Sequence, residues 1–141
     1  MTAILFEDIV AVVIAGLASQ LDRRPESYTN GVTVARTDQA STPKLVTVAY
    51  GGGAGESDTL DTSLLTVTIA DTSETVASDL ARMVRALLTA RGDGTFCDGR
   101  PITRITTSIG QLRLVDDPSR CRIRIVFEIR HRGTALTPVG P

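Results

Sequence analysis

Hydrophobic positions along the chain follow two periods, and each period predicts a different element. Apolar side chains recur every three or four positions through residues 76–88, which predicts an amphipathic helix ending before Gly92. Asp71 and Glu74 approximate a capping box at its start. Residues 120–132 instead alternate between apolar and mostly charged side chains, which is the period of a half-buried strand. The chain therefore contains at least one clear helix and one clear strand.

A second helix is predicted near the N-terminus. Residues 4–21 lack proline, and residues 9–18 are apolar on every side, so we expect a helix that is buried on more than one face. This apolar run is far shorter than the roughly 20 residues that span a bilayer. The preceding segment carries Glu7 and Asp8 but no Lys or Arg, unlike a secretory signal. We therefore expect a protein made in the cytoplasm that contacts no membrane.

Shorter alternating segments predict the remaining strands. In chain order, the predicted strands are 32–36, 44–50, 63–71, 101–109 continued by 111–115, and 120–132. The resulting order is α-β-β-β-α-β-β, and most strands have only one apolar face. We therefore predict a single α+β domain over residues 1–132, with a mixed, mostly antiparallel sheet of about four or five strands and two helices packed on one face. Residues 133–141 are predicted to form a flexible tail.

The composition excludes several classes of function. The formal net charge is −1, so no overall basic excess indicates nucleic-acid binding. The chain has no Trp, three Phe and two Tyr, too few aromatic residues for a base-stacking or sugar-stacking surface. Cys97, Cys121 and the single histidine, His131, supply too few ligands for a metal site. We therefore expect no metal and no cofactor.

The stretch YGGGAGESDT, residues 50–59, resembles a ligand-binding loop at first sight. Glu56 occupies the position of the phosphate-loop lysine, and a strand follows where that motif requires a helix. Ser57 lies between two acids, which excludes the G-x-S-x-G nucleophile turn. We interpret the stretch as a flexible acidic loop between two strands that contacts another protein. Its predicted interface residues are Gly52, Gly53, Gly55, Glu56 and Asp58.

The candidates for catalysis are few. His131 lies between Arg130 and Arg132, whose charges disfavour an imidazolium, and no acid is near it in the sequence. Asp116 and Asp117 are followed by a proline and indicate a turn. An acid could still reach His131 from elsewhere in the fold, but we assign no catalytic residue and expect a protein that is not an enzyme.

Arginines dominate the polar side of the last predicted strand. Like charges side by side repel each other, so acidic groups are expected near them. Three interpretations follow: a solvated face paired with acids of a neighbouring strand, a subunit or protein-docking interface, or a DNA-binding surface. The slightly acidic chain disfavours the last of these. The arginines assigned to a protein interface are Arg120, Arg122, Arg124 and Arg130.

The order of elements resembles that of the tail terminator proteins of long-tailed bacteriophages, over most of residues 1–132. The resemblance rests on the apolar N-terminal helix, the hairpin with its glycine-rich connection, LLTVTIAD leading into SETVASDLARMVRALL, and the closing strand RCRIRIVFEIR. Related head–tail joining proteins share a similar size and layout. The family has no catalytic residues that could be transferred to this chain.

The resemblance implies a structural protein of a siphophage virion. Such proteins form a ring, usually a hexamer, that ends tail tube polymerisation and joins the tail to the head connector. The implied partners are copies of the chain itself, the tail tube protein and the head–tail connector, while DNA passes through the lumen without specific binding. The implied location is the tail or neck of the virion, after assembly in the host cytoplasm. The alternatives are another head–tail connector or minor tail protein and, in a different class, a small cytoplasmic ligand-binding domain or enzyme.

Overall fold

Two helices and seven strands make up the described part of the chain in a computed structural model. The described residues are 3–55, 57, 59–98 and 101–139. The helices are α1 (Ile9–Asp22) and α2 (Glu74–Thr89), with a 3₁₀ turn at Ser27–Thr29. The strands are β1 (Ile4–Leu5), β2 (Thr33–Ala35), β3 (Leu45–Gly55), β4 (Leu60–Asp71), β5 (Ile102–Leu114), β6 (Cys121–Arg132) and β7 (Thr134–Ala135).

Five strands form one mixed sheet in the order β2-β3-β4-β6-β5. Strand β2 runs parallel to β3, and every other neighbouring pair is antiparallel. Helix α1 packs on β2 and β3, while α2 packs on β4, β5 and β6. The buried residues of both helices join one core with the same side of the sheet. The prediction of an α+β domain with both helices on one face is therefore confirmed.

The first helix starts later than predicted. Asp8 caps α1 by accepting a hydrogen bond from the Ala11 amide at 3.2 Å, so the helix begins at Ile9 rather than at residue 4. Residues 4 and 5 instead form β1, which pairs antiparallel with β7. β7 lies within the segment predicted to be a flexible tail. Sequence periodicity missed this two-stranded sheet because each strand has only two residues and pairs across almost the whole chain.

Helix α2 follows its predicted apolar stripe, with a different cap. Ser73 is the N-cap residue, and its hydroxyl accepts from the Val76 amide at 3.3 Å. Asp71 lies two residues earlier, and its carboxylate accepts from the Ser73 amide at 2.8 Å. The capping box predicted from Asp71 is therefore wrong, although the helix begins at the predicted place. Its buried residues are Ala77, Leu80, Ala81, Val84 and Leu88.

The glycine-rich stretch is mainly strand, so the prediction of a long loop over residues 51–59 is wrong. Strand β3 continues to Gly55, with a bulge between Tyr50 and Gly53 where Gly52 has a φ of 100°. At Gly53 a Cβ would lie 2.3 Å from the Thr62 carbonyl oxygen, so the missing side chain permits this close pairing. The glycines therefore shape a hairpin.

The turn of this hairpin is short. The Ser57 amide donates to the Leu60 carbonyl at 3.1 Å, and the Ser57 hydroxyl accepts from the Leu60 amide at 3.1 Å. Two of the predicted interface residues, Glu56 and Asp58, lie outside the described residues. The contact surface predicted here therefore reduces to the end of a two-stranded hairpin.

Candidate interface on the open face of the sheet

The sheet has one covered face and one open face. Both helices lie on the covered face, and in the part of the chain that the structure describes no helix packs on the other. We name this second surface the open face. Its side chains on β4 are half-buried, as at Thr62, Leu64 and Thr66, although no element covers them. The arginines predicted for an interface belong to β6 or its start, and they differ strongly in their surroundings.

Arg120 was predicted to be an interface residue, but it is buried within the subunit: only 3% of its side chain is accessible. Its Nε donates to Asp117 at 2.9 Å, and Nη2 donates to both carboxylate oxygens of Asp38 at 3.0 and 3.2 Å. Nη1 donates to the carbonyl oxygens of Gln39 and Thr42 at 3.2 and 3.1 Å. Burial opposes the charge, yet the hydrogen bonds to Asp117 and Asp38 raise the pKa of Arg120 above its ordinary value. Arg120 therefore holds the β2–β3 connection against the start of β6 by hydrogen bonds.

Arg122 is also neutralised within the chain. Its guanidinium pairs with Asp116, and its side chain is only 18% exposed. The acids that balance Arg120 and Arg122 come from the turn before β6 and from the β2–β3 connection. The sequence suggested that a neighbouring strand would supply these acids, but none of the three, Asp38, Asp116 and Asp117, lies in a strand. Two of the four predicted interface arginines are thus committed to internal ion pairs.

The other two predicted interface arginines are Arg124 and Arg130. Arg124 is half-buried between Thr68 of β4 and Leu112 of β5, and it forms no ion pair with a residue that the structure describes. Arg130 is exposed and lies opposite Arg104 of β5. Like charges in direct cross-strand pairs are unfavourable, so this arrangement suits an anionic partner.

A shallow cleft of about 250 Å³ surrounds this pair of arginines. Its lining residues are Arg104, Thr106, Glu128 and Arg130. With Arg124 on the same face of β6, this part of the described surface carries Arg104, Arg124 and Arg130 beside Glu128. Sequence reasoning missed Arg104, although alternation through 101–109 opposes it to the apolar Ile105 and thereby assigns it to the polar face.

Apolar side chains border the arginines on β5. Ile109 and Leu112 are 56% and 46% exposed, and Val126 of β6 lies half-buried opposite Ile109. Large exposed apolar residues beside arginines are typical of surfaces that contact other proteins. The open face therefore offers both hydrophobic and electrostatic contacts.

The structure also joins two residues that are far apart in the sequence. Ser63 Oγ and His131 Nε2 lie 2.8 Å apart, and Asp61 is the cross-strand partner of His131. Burial lowers the pKa of His131, while the charge of Asp61 opposes this shift. Both Ser63 and His131 are only 3% exposed.

The Ser63–His131 pair has the distance of a nucleophile and its base but lacks two other parts of a catalytic site. His131 Nδ1 is buried and has no hydrogen-bond partner among the described residues, so no acid orients the ring. Ser63 and His131 line a cleft of about 280 Å³, but each is only 3% exposed, so the Ser63 hydroxyl is largely covered.

Among the described residues, no three or more His, Cys, Asp or Glu side chains are grouped so that they could hold a metal ion. Neither helix in the described ranges is long and apolar enough to cross a bilayer.

No protein-family model matches the chain, and no curated protein matches it significantly. Among solved structures, the chain resembles one from the virion of a native gene transfer agent particle. The TM-score is 0.55 at 15% sequence identity, and the match covers 90% of this chain and 100% of the other. At this identity the likeness shows a shared fold.

Proposed function

We propose that the chain is a structural virion protein of a tailed, phage-like particle. The observation that carries the proposal is the fold match, which spans the whole of a chain in a gene transfer agent virion and nearly all of this one. The open face adds support, because its exposed apolar groups and its cluster of arginines suit contacts with other proteins. On this proposal the chain acts as an assembly component and has no catalytic role.

Within that class, we propose a tail terminator. In this role copies of the chain form a ring, usually a hexamer, at the end of the tail tube of a siphophage-like particle. The ring stops tube polymerisation and binds the head–tail connector, while DNA passes through its lumen. The resemblance in element order supports this role, and another connector or minor tail protein is the alternative. Assembly would take place in the host cytoplasm, and the finished ring would belong to the neck of the virion.

The proposed subunit contact joins opposite charges on two parts of the molecule. The β3–β4 hairpin carries Glu56, Asp58 and Asp61 in its sequence, while the open face carries Arg104 and Arg124. If one copy's hairpin meets the next copy's open face, the contact is heterologous and can close into a ring. Each subunit would use both surfaces, which fits a closed assembly of identical copies.

Electron microscopy tests the proposed role. Tail tube protein is polymerised with and without the chain, and the tube ends are imaged. We expect a ring at one end of each tube and a narrow distribution of tube lengths when the chain is present. Tubes that keep growing, with bare ends at saturating amounts of the chain, would contradict the terminator role. A chain found at the connector in particles with normal tails would favour the alternative connector role.

Charge reversal tests the proposed contact. The double variant Arg104→Glu/Arg124→Glu is compared with Arg85→Glu, which reverses an exposed arginine on α2, on the other side of the sheet. We expect the double variant to lose ring formation and the control to retain it, with similar melting temperatures for all three proteins. Intact rings with altered DNA passage would instead indicate that the open face lines the lumen.

The alternative of an enzyme has one observation in its favour, the hydrogen bond between Ser63 and His131. Turnover of an ester probe that disappears in Ser63→Ala and in His131→Gln would support that alternative. The burial of both side chains is the reason we place it second.

A further inference from the structure

The N-terminal segment closes one end of the core. We name residues 3–8 the strap. It pairs with β7 through β1, and the Leu136 amide donates to the Ala3 carbonyl oxygen at 2.8 Å. The strap also packs closely on the end of β6, where a Cβ on Gly133 would lie 2.3 Å from Ile4 Cγ2. The strap is thus held by a few contacts at the junction of β6 and β7.

His131 lies directly under the strap. The Phe6 ring meets the imidazole edge-on, with 5.7 Å between ring centroids and an interplanar angle of 86°. The imidazole is 3% exposed, its Nε2 is hydrogen-bonded to Ser63, and its Nδ1 has no partner within the described residues. A neutral imidazole leaves one polar atom unsatisfied here. An imidazolium would leave a charged N–H donor buried without an acceptor, which costs considerably more.

We propose that His131 is a proton-sensitive latch, in which the strap stays closed over the neutral imidazole and opens when the imidazole binds a proton. Opening hydrates Nδ1 and the new charge, which the closed strap cannot do. This inference goes beyond the proposed function and does not depend on it.

Several charged groups face this site. The strap contributes Glu7 and Asp8, β4 contributes Asp61, and Arg36 after β2 pairs with Asp8. These residues line one cleft of about 280 Å³ together with Ser63, Tyr50 and His131. Asp61 favours the imidazolium, but burial outweighs it, and the pKa of His131 lies below its ordinary value. Arg130 and Arg132 flank His131 along β6 and are exposed, and Arg132 lines a second cleft together with Glu7 of the strap.

The sign of the pH effect follows from this lowered pKa. Above the ordinary histidine pKa of about 6.5, the imidazole is neutral whether the strap is open or closed, so pH does not affect opening. Below that value the open form takes up a proton before the closed form does. Opening therefore increases as the pH falls toward the pKa of the closed form, and it becomes constant below it.

The segment beneath the strap also contacts the β3–β4 hairpin. The Gly133 amide donates to the Thr59 carbonyl oxygen at 2.9 Å, and Asp61 and Ser63 lie close to the turn of the same hairpin, opposite Gly55 and Gly53. Release of the strap therefore loosens the end of β6 that supports this hairpin.

NMR spectroscopy can test the latch directly, because His131 is the only histidine of the chain. Its imidazole resonances give its pKa without assignment problems, and hydrogen exchange at the Leu136 amide reports opening of the strap. After correction for intrinsic exchange, we expect the opening constant to rise up to tenfold per pH unit between pH 6.5 and the measured pKa of His131. A His131 pKa at or above 6.5, or an opening constant independent of pH, would overturn the proposal.

Three variants complete the test. His131→Phe/Ser63→Ala replaces both hydrogen-bonding partners with apolar groups and should keep the strap closed without pH dependence. His131→Gln retains an amide that can bond to Ser63 and serves if the double variant does not fold. Gly133→Ala should open the strap at every pH, because its Cβ displaces Ile4. The wild-type pH dependence persisting in a folded variant without His131 would overturn the proposal.

Discussion

Replacement of Arg120 by methionine should destabilise the fold strongly. Methionine keeps much of the aliphatic volume but removes the guanidinium that bonds Asp38, Asp117 and two carbonyl oxygens. The β2–β3 connection then loses its attachment to the start of β6. The two carboxylates remain close together with no cation between them, and they repel each other.

The magnitude follows from the burial of each group. Removing one partner of a buried ion pair costs about 3–5 kcal/mol. Arg120 has 3% side-chain exposure, but Asp38 has 46%, so the Asp38 carboxylate recovers water when the arginine is lost. We therefore expect the lower limit, about 3 kcal/mol of unfolding free energy. For a chain of this length that corresponds to a fall in melting temperature of roughly 10 °C.

Urea unfolding followed by circular dichroism measures this loss, with Arg124→Met as the control. Arg124 lies within β6, four residues after Arg120, but it forms no ion pair with the described residues, so its replacement should change the unfolding free energy by less than about 1 kcal/mol. Hydrogen bonds from Ser119 and Arg120 hold the pKa of Asp117 well below its ordinary value. This contribution is present above about pH 3.9 and is lost as the pH falls through the folded pKa. The difference between wild type and Arg120→Met should accordingly shrink in acid.

Equal unfolding free energies of Arg120→Met and Arg124→Met would refute this reasoning. Arg120 would then contribute no more to stability than a surface arginine. The distinction affects the assembly experiment, because a reversed charge at Arg120 would unfold the subunit and imitate a loss of ring contacts. Arg104 and Arg124 test the interface without that ambiguity.

Three further substitutions test the hairpin, the buried pair and the helix cap. Gly53→Ala should cost about 1–3 kcal/mol, since its Cβ meets the Thr62 carbonyl oxygen at 2.3 Å; a urea midpoint equal to that of wild type would exclude close pairing there. Ser63→Ala should cost about 1–3 kcal/mol by leaving His131 Nε2 unpaired, measured by thermal unfolding at pH 8. Ser73→Ala should cost about 1 kcal/mol, while Ser73→Asn should retain wild-type stability because asparagine caps equally well.

Elements with a strong side-chain period were predictable. Helix α2 and strand β6 combine apolar repeats with regular polar positions, and both lie where the pattern indicated. The predicted break at Gly110, between segments 101–109 and 111–115, also agrees with the register shift between Ile109 and Leu112 in the pairing of β5 with β6. The glycines of β3 carry no side-chain period, so their pairing with β4 is visible only once the backbone partners are known.

The candidate site was predictable only in part. In the sequence Arg120 and Arg122 occupy equivalent alternating positions, yet Asp38 and the surrounding connection bury only the first. That burial depends on a contact between segments far apart in the chain. Ser63 and His131 come together for the same reason, through the pairing of β4 with β6. Arg104 could have been assigned to the open face from the sequence, because the alternation of polar and apolar residues around it depends only on its neighbours in the chain.

The sheet order has a consequence for how the protein is made. β4 lies at the centre of the sheet, but its second neighbour, β6, comes after α2 and β5 in the chain. On the ribosome, the β3–β4 hairpin therefore emerges with one edge of β4 unpaired and its apolar side without most of the core. The native sheet can close only when nearly the whole chain has been synthesised. Folding should consequently be completed after translation, and it should be slow relative to helical proteins of the same length.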